Sequence, residues 1–421
     1  MIKDRNGLLG KLMVKKPSSI PFAVWALTIS SFAIGTTEFI SVGILPTIAG
    51  GLSVSIATAG LIASAYALGV TISALIMTAL TSSLPRKPLL LGTMVMFTLG
   101  NALAALAPNF EILLLARVLT ALGHGIFFGV GSTIAASLVS PDRRASAIAL
   151  MFSGFTVAII TGVPLGTFIG QEFGWRATFW AVAALGVLAF VMSSFLLPSN
   201  LERSAPTRVR DQFRVLGNPR LLLVYSMTVL GYGGTFVALT YLSPILQQIT
   251  GFSETTVSAI LVGFGAAIAI GNIGGGRLAN RNPVRALLGM FIIQTVVLIA
   301  LSFTAASPVW ALVTLVPFGL LTFSSVPALQ LYVVQLAKQY SPDAVEVASA
   351  FNIAAFNLGI AIGSYVGGRV AGSVVGLSST PWVGAVFVGS AIFLTLWSGS
   401  LDRRSAGFEV PELRTGEAPS H

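Results

Sequence analysis

Three ionisable residues sit inside long apolar runs, where they need a reason to be. Glu38 lies in SFAIGTTEFISVG (residues 31–43); no charge occurs from Ile20 to Thr37, and the next after Glu38 is Arg86. Arg117 and His124 lie in LLARVLTALGHGIFFGVGSTIAAS (114–137). On insertion scales a charge near the centre of a bilayer costs at least about 2.5–3.5 kcal/mol, so an intramembrane ionisable group is a functional candidate by default. A carboxylate can take up and release a proton. Burial opposes its charged form and a nearby guanidinium favours it. A first helix ending near Pro46 places Glu38 about 12 Å from that end at 1.5 Å per residue. A fourth helix starting near Glu111 places Arg117 roughly 10 Å from the same side, at similar depth. His124 follows Arg117 by two helical turns on nearly the same face. Glu38, Arg117 and His124 are therefore the candidate proton-coupling groups. The competing readings are a buried pair that only joins two helices and, for His124, a helix–helix hydrogen bond or a substrate contact.

The elements that carry these groups follow from hydropathy. The chain has 421 residues, 55% hydrophobic and 9% charged, against about one quarter charged in ordinary soluble domains. Its mean hydropathy is +0.89. Too little polar surface exists to cover a water-soluble globule, so the solvent is a bilayer. The first run, Ile20 to Pro46, exceeds the ~20 residues needed to span and is too long for a signal-peptide core, which makes it a retained span. Apolar runs predict twelve helices, at 20–46, 57–80, 87–107, 111–139, 144–171, 175–198, 220–247, 255–277, 284–306, 308–337, 345–373 and 381–401. The predicted organisation is a tail (1–19), a six-helix bundle (20–198), a polar linker (199–219), a second bundle (220–402) and a tail (403–421). The fold class is an all-α, multi-pass membrane protein.

The formal charge is +10, but its distribution describes topology. With an even number of spans, 21 of the 24 Lys and Arg residues fall on the side of the termini. The exceptions are Arg117, Arg176 and Arg369. The positive-inside rule makes that side cytoplasmic, and nucleic-acid binding is rejected. There is no cysteine, and there are two histidines, so no disulfide, thiolate site, metal site or cofactor is expected.

The two halves look duplicated. ILPTIAG (44–50) and ILQQITG (245–251) agree at four of seven positions at an offset of 201. In the fifth helix Gly154, Ala158, Gly162, Gly166 and Gly170 are four apart. The same offset gives Ala355, Gly359, Gly363, Gly367 and Ala371 in the eleventh. Small residues so spaced let helix backbones approach closely in lipid. Parallel repeats of this kind describe transporters with a midplane site between them. Glu38, Arg117 and His124 map to Leu239, Phe318 and Ser325. The ionisable chemistry thus appears once, whereas a structural need of the repeat would appear twice. Pro164, between Gly162 and Gly166, predicts a kink and is expected to sit where the halves meet, as a pivot or seal. Bulk at Gly162 or Gly166 is then expected to hinder the transport cycle. Thr36, Thr37, Tyr66, Tyr232, Asn352 and Asn357 are candidates for lining a substrate cavity, with packing as the alternative for each.

No G-x-x-x-x-G-K-[ST] stretch is present, so energy would come from an ion gradient rather than ATP. One embedded acid and one embedded histidine do not make a membrane enzyme. The leading reading is a secondary exporter driven by protons; uptake by symport is the alternative, and a sensor without transport is a third class. Its partners are a small organic substrate, protons and lipid, with no nucleic acid, and a monomer is expected.

Taken together, GTTEFISVGILP (35–46), the 114–137 stretch quoted above, GVPLGTFIGQEFGWRATFW (162–180) and SAFNIAAFNLGIAIGSYVGG (349–368) resemble the major facilitator superfamily, in its drug:proton antiporter branch. Within that branch the chain is similar to arabinose, sugar or nucleoside efflux permeases. The resemblance implies two six-helix bundles, a central cavity and alternating access in a bacterial cytoplasmic membrane. It associates Gly154, Gly162, Pro164, Gly166 and Gly170 with antiport, Arg117 with proton transfer, and Glu38 with the family's first-helix acid. The loop TSSLPRKP (81–88) departs from the family's pattern, lacking glycine and acid. In GGRLANRNPVR (275–285) Asn280 stands where an aspartate is common.

Overall fold

The structure, a computed structural model, describes residues 21–81, 83–140, 143–199, 201 and 214–406. The expected tail at 1–19, most of the linker and the last fifteen residues lie outside the described residues. Among the described residues twelve helices are long and apolar enough to span a membrane. They are α1 (Phe22–Gly51), α2 (Ile56–Leu80), α3 (Arg86–Leu106), α4 (Phe110–Ser137), α5 (Ser146–Phe173) and α6 (Trp175–Leu196). The second six are α7 (Pro219–Ile249), α8 (Glu254–Arg281), α9 (Pro283–Thr304), α10 (Pro308–Tyr340), α11 (Val347–Ala371) and α12 (Leu377–Arg403). Side chains that accept from the first free N–H groups start several of them: Asn109 at α4, Asn218 at α7, Ser253 at α8 and Asn282 at α9. Such caps satisfy donors that have no partner inside the helix.

The duplication is visible in the packing. In the first half α1 packs on α5 and α6, α3 on α4 and α6, and α2 on α4. The second half repeats each pair one half later: α7 on α11 and α12, α9 on α10 and α12, and α8 on α10. The halves meet through α2 against α11 and, symmetrically, α8 against α5, with α1 touching α7. The inner helices α1 and α7 are each 78% buried over their apolar windows, whereas α6 is 33% buried. Arg117 of α4 is fully buried, among Thr37 of α1, Tyr66 of α2 and Phe179 of α6.

Three local features differ from the sequence expectation. Helix α1 does not stop near Pro46; it runs on to Gly51 with Pro46 inside. A proline costs mainly its own N–H bond, and a helix packed on most sides is held by its neighbours. Helix α5 contains a wider turn at Ala158–Gly162 just before Pro164. Pro164 cannot donate to the carbonyl four residues back, and a turn with one extra residue absorbs the defect. Helix α10 is broken: Pro308–Thr322 and Ser325–Tyr340 are separate segments joined at Phe323 and Ser324. Pro327, which cannot donate to the Phe323 carbonyl, favours the break there.

Candidate functional site

The true end of α1 changes which groups are level. Glu38 is thirteen residues from Gly51, about 20 Å. Arg117 is seven residues from Phe110, about 10 Å, while His124 is fourteen residues along, about 21 Å. His124, rather than Arg117, shares the depth of Glu38. The geometry agrees: His124 Nδ1 lies 3.9 Å from Glu38 Oε2. The same nitrogen is 3.0 Å from the Tyr66 hydroxyl. One nitrogen thus faces two partners. When unprotonated it accepts from Tyr66; when it carries a proton it can donate toward Glu38.

Arg117 is fully buried and takes a different partner from the expected one. Its Nη1 donates to Thr37 Oγ1 at 3.0 Å and its Nη2 to the Thr37 carbonyl at 2.9 Å. Its guanidinium carbon lies 4.1 Å from the centroid of the Tyr66 ring, a cation–π arrangement. Thr37 in turn donates to Asn101 Oδ1 at 2.8 Å, and Asn101 Nδ2 donates to the Phe97 carbonyl at 2.9 Å. Arg117 is thereby held one residue short of Glu38. Glu38 Oε2 and Arg117 Nε are both buried without a hydrogen-bond partner, although the Glu38 side chain is only 7% exposed. Buried polar atoms normally have partners.

The six cavity candidates separate. Thr37 and Tyr66 belong to the ionisable cluster. Thr36 bonds its own helix at the Phe32 carbonyl and faces Gly162 of α5. Asn352 is saturated: its Oδ1 accepts from Thr228 at 2.7 Å and its Nδ2 donates to Gln330 Oε1 at 2.9 Å. Tyr232 packs at tilted and edge-on angles among Phe236, Phe323 and Phe356. Asn357 donates to the Ile353 carbonyl, but its Oδ1 is buried without a partner. Asn101 and Gln330 were missed by the sequence reading. Asn101 is the lone amide of its spanning segment, and that isolation was the available signal; Gln330 shares α10 with Gln335 and Gln339, so nothing along the chain marked it out. Asn101→Ala strands the Thr37 hydroxyl and is expected to lower stability by about 1–3 kcal/mol, read as a fall in apparent melting temperature in detergent. Asn357→Ala is expected to leave that temperature unchanged.

The glycine stripe of α5 does not lie between the halves. A Cβ on Gly154 would meet the Thr28 carbonyl oxygen at 2.0 Å, and one on Gly162 would meet Thr36 Oγ1 at 2.2 Å. Gly166 and Gly170 likewise face Ile40 and Ile44. All of these neighbours are in α1, so the stripe joins two helices of one half. The α11 stripe faces α7 in the same manner, with Gly363 against the Gly233 carbonyl. Close approach explains both stripes, because backbones can touch only where no side chain intervenes. The contact of α5 with the other half runs instead through Ile159 and Ile160, against Gly265 of α8.

Aromatic rings fill the centre between the halves. Phe39, next to Glu38, packs on Phe155 of its own half and on Phe236 and Phe323 of the other, at 5.4–6.2 Å between centroids. Phe323 is the residue at the break in α10. Beside these rings a void of about 30 Å³ is lined by Phe39, Ile159, Val163, Leu239, Phe264 and Phe323, among others. That is room for about one water. Away from the termini the seam is packed: Ser243 donates to the Gly43 carbonyl at 3.2 Å, and Ser258 bonds Gln171. Between α2 and α11 packing runs from Ala57 beside Gly372 to Thr71 beside Ala354, about 21 Å of helix.

Duplicated six-helix halves, related by the packing of α2 on α11 and α5 on α8 around a buried charged cluster, define a secondary-transporter fold. The sequence profile of the Major Facilitator Superfamily matches residues 27–345, and the chain belongs to that superfamily. It is 55% identical over 387 residues to the "Uncharacterized MFS-type transporter YtbD" of Bacillus subtilis (strain 168), covering 92% of this chain and 97% of that one. It is 43% identical over 379 residues to the "Inner membrane transport protein YdhP" of Escherichia coli (strain K12), covering 90% and 96%. A "Probable sugar efflux transporter" of Mannheimia succiniciproducens is 31% identical over 367 residues, covering 87% and 90%. Among solved structures, a bacterial homologue of the human lysosomal transporter Spinster, inward-facing and unoccupied, superposes with a TM-score of 0.73 at 18% identity, covering 91% and 97%. The protein is thus a membrane-spanning transporter of that superfamily.

Proposed function

We propose that the chain is a proton-coupled exporter of a small organic molecule, working by alternating access in a bacterial cytoplasmic membrane. The observation that carries this reading is the buried, incompletely bonded Glu38 carboxylate, 3.9 Å from His124 Nδ1. Glu38 takes the proton, His124 stands next on its route, and Arg117 favours its release. One carboxylate carries one proton per cycle. For a neutral substrate each cycle then moves one positive charge inward, worth about 2.3 kcal/mol per 100 mV; for a monovalent cation the exchange is electroneutral. The efflux in the name of one relative supports the direction. The cavity candidates named from the sequence, hydroxyls and amides among apolar neighbours, suit a sugar, a nucleoside or a neutral or singly cationic amphiphile. The test is proton movement in proteoliposomes on addition of a panel of such compounds. Substrate flux with no proton movement for any of them would remove the coupling.

Both termini and the linker are placed in the cytoplasm on the distribution of Lys and Arg. The packed side of the seam is then extracellular. Because the native chain has no cysteine, a single Ser204→Cys substitution labels cleanly. It is expected to react with an impermeant thiol reagent only after the cells are opened. Labelling from outside intact cells reverses the topology.

A further inference from the structure

We propose that the groove between α8, α9 and α10 binds one anionic phospholipid, its phosphate at Arg281 and Arg285 and one acyl chain along the groove floor. The groove is about 660 Å³, far larger than the void between the halves. It opens where α8 turns into α9, on the side of the chain termini. Its walls are apolar, from Leu278, Met290, Ile293, Leu320 and Leu321, and among the described residues its charged lining is Arg281 and Arg285. Both arginines are exposed. From Asn282 at the mouth to Gly271 along α8, and to Ile293 along α9, the lining extends eleven residues, about 16 Å. A free anion would need the arginines alone. A cavity that continues 16 Å into apolar depth matches a molecule with a charged head and a hydrocarbon chain.

The glycines separate this from ordinary helix packing. Gly271 and Gly275 are pressed on α10: a Cβ at either would lie 1.7 or 2.0 Å from the Leu320 or Ser324 carbonyl oxygen. Gly274 and Gly289 also line the groove, yet a Cβ at either meets nothing within 4 Å. Missing side chains at these two positions serve no protein contact; they leave the groove hollow. Guanidinium groups pair well with phosphate, and basic pockets between spanning helices bind anionic headgroups.

The test uses the full chain purified in detergent, with native mass spectrometry against phosphatidylglycerol and phosphatidylcholine. Phosphatidylglycerol is expected to bind preferentially. Arg281→Ala with Arg285→Ala lowers its affinity about thirtyfold, from about 1 kcal/mol per basic residue. The two Lys replacements keep most of it. Gly274→Leu with Gly289→Leu keeps both charges and fills the hollow from positions whose Cβ meets nothing within 4 Å; it is expected to lower affinity at least tenfold. Equal retention of the two lipids overturns the proposal. So does unchanged binding by the double leucine variant, or displacement of phosphatidylglycerol by millimolar inorganic phosphate, which would mark a plain anion site.

Discussion

Glu38→Gln is expected to abolish accumulation of substrate against its gradient while leaving downhill exchange in place. The amide has nearly the shape of the protonated acid but cannot release a proton, so it holds the carrier in one protonation state. The substitution also removes a charge from among Phe39, His124 and Tyr66, where burial penalises it, so loss of fold is not the expected cause of failure. The measurement is substrate accumulation driven by a pH step in proteoliposomes, with counterflow as the control. If the variant still concentrates substrate from a pH gradient, the proton travels elsewhere, and His124 is the next residue to test. Arg117→Ala is expected to behave differently. The guanidinium holds Thr37 through two hydrogen bonds and covers Tyr66, so its loss reduces stability as well as coupling, and a lower melting temperature accompanies the transport defect.

Glycine substitutions are expected to form a graded series set by what each new Cβ would meet. At Gly154 the obstacle is the Thr28 backbone oxygen at 2.0 Å, which moves only if α1 moves. Gly154→Leu is therefore expected to prevent assembly of the first half and to leave little folded protein. At Gly166 the obstacle is Ile40 Cδ1 at 1.9 Å, the tip of a side chain that can rotate away. Gly166→Ala is expected to cost no more than the 1–3 kcal/mol of ordinary overpacking. Gly265 tests the seam itself, because its Cβ would meet the Ile159 carbonyl at 2.8 Å across the two halves. Gly265→Leu is expected to fold, since the atoms nearest its Cβ all belong to α5 of the other half, yet to hinder closure of the halves and cut transport severely. Folded yield by fluorescence-detected size exclusion, set beside flux, separates the two effects. Full transport by Gly265→Leu would remove α8 from the moving seam.

Much of this protein was legible along the chain. Twelve spans could be read because hydropathy is local: a helix in lipid satisfies its own backbone, so its residues alone declare it. The duplication was legible from residues at an offset of 201, and Glu38, Arg117 and His124 stood out by their isolation among apolar neighbours. Their pairing was not. The passage of α1 through Pro46 depends on its packed surroundings, and it alone shifts Glu38 from the level of Arg117 to that of His124. The glycine stripe announced a close approach without naming the partner, because small residues permit contact with any backbone. Only the packed bundle shows that the partner is α1 and that Ile159, Ile160 and Gly265 meet across the halves. The closed aromatic centre was equally hidden, since Phe39, Phe236 and Phe323 are separated by long stretches of sequence and meet only because the halves do. Local composition determined the spans and the groups that do not belong in lipid; contacts between distant segments decided which of those groups meet.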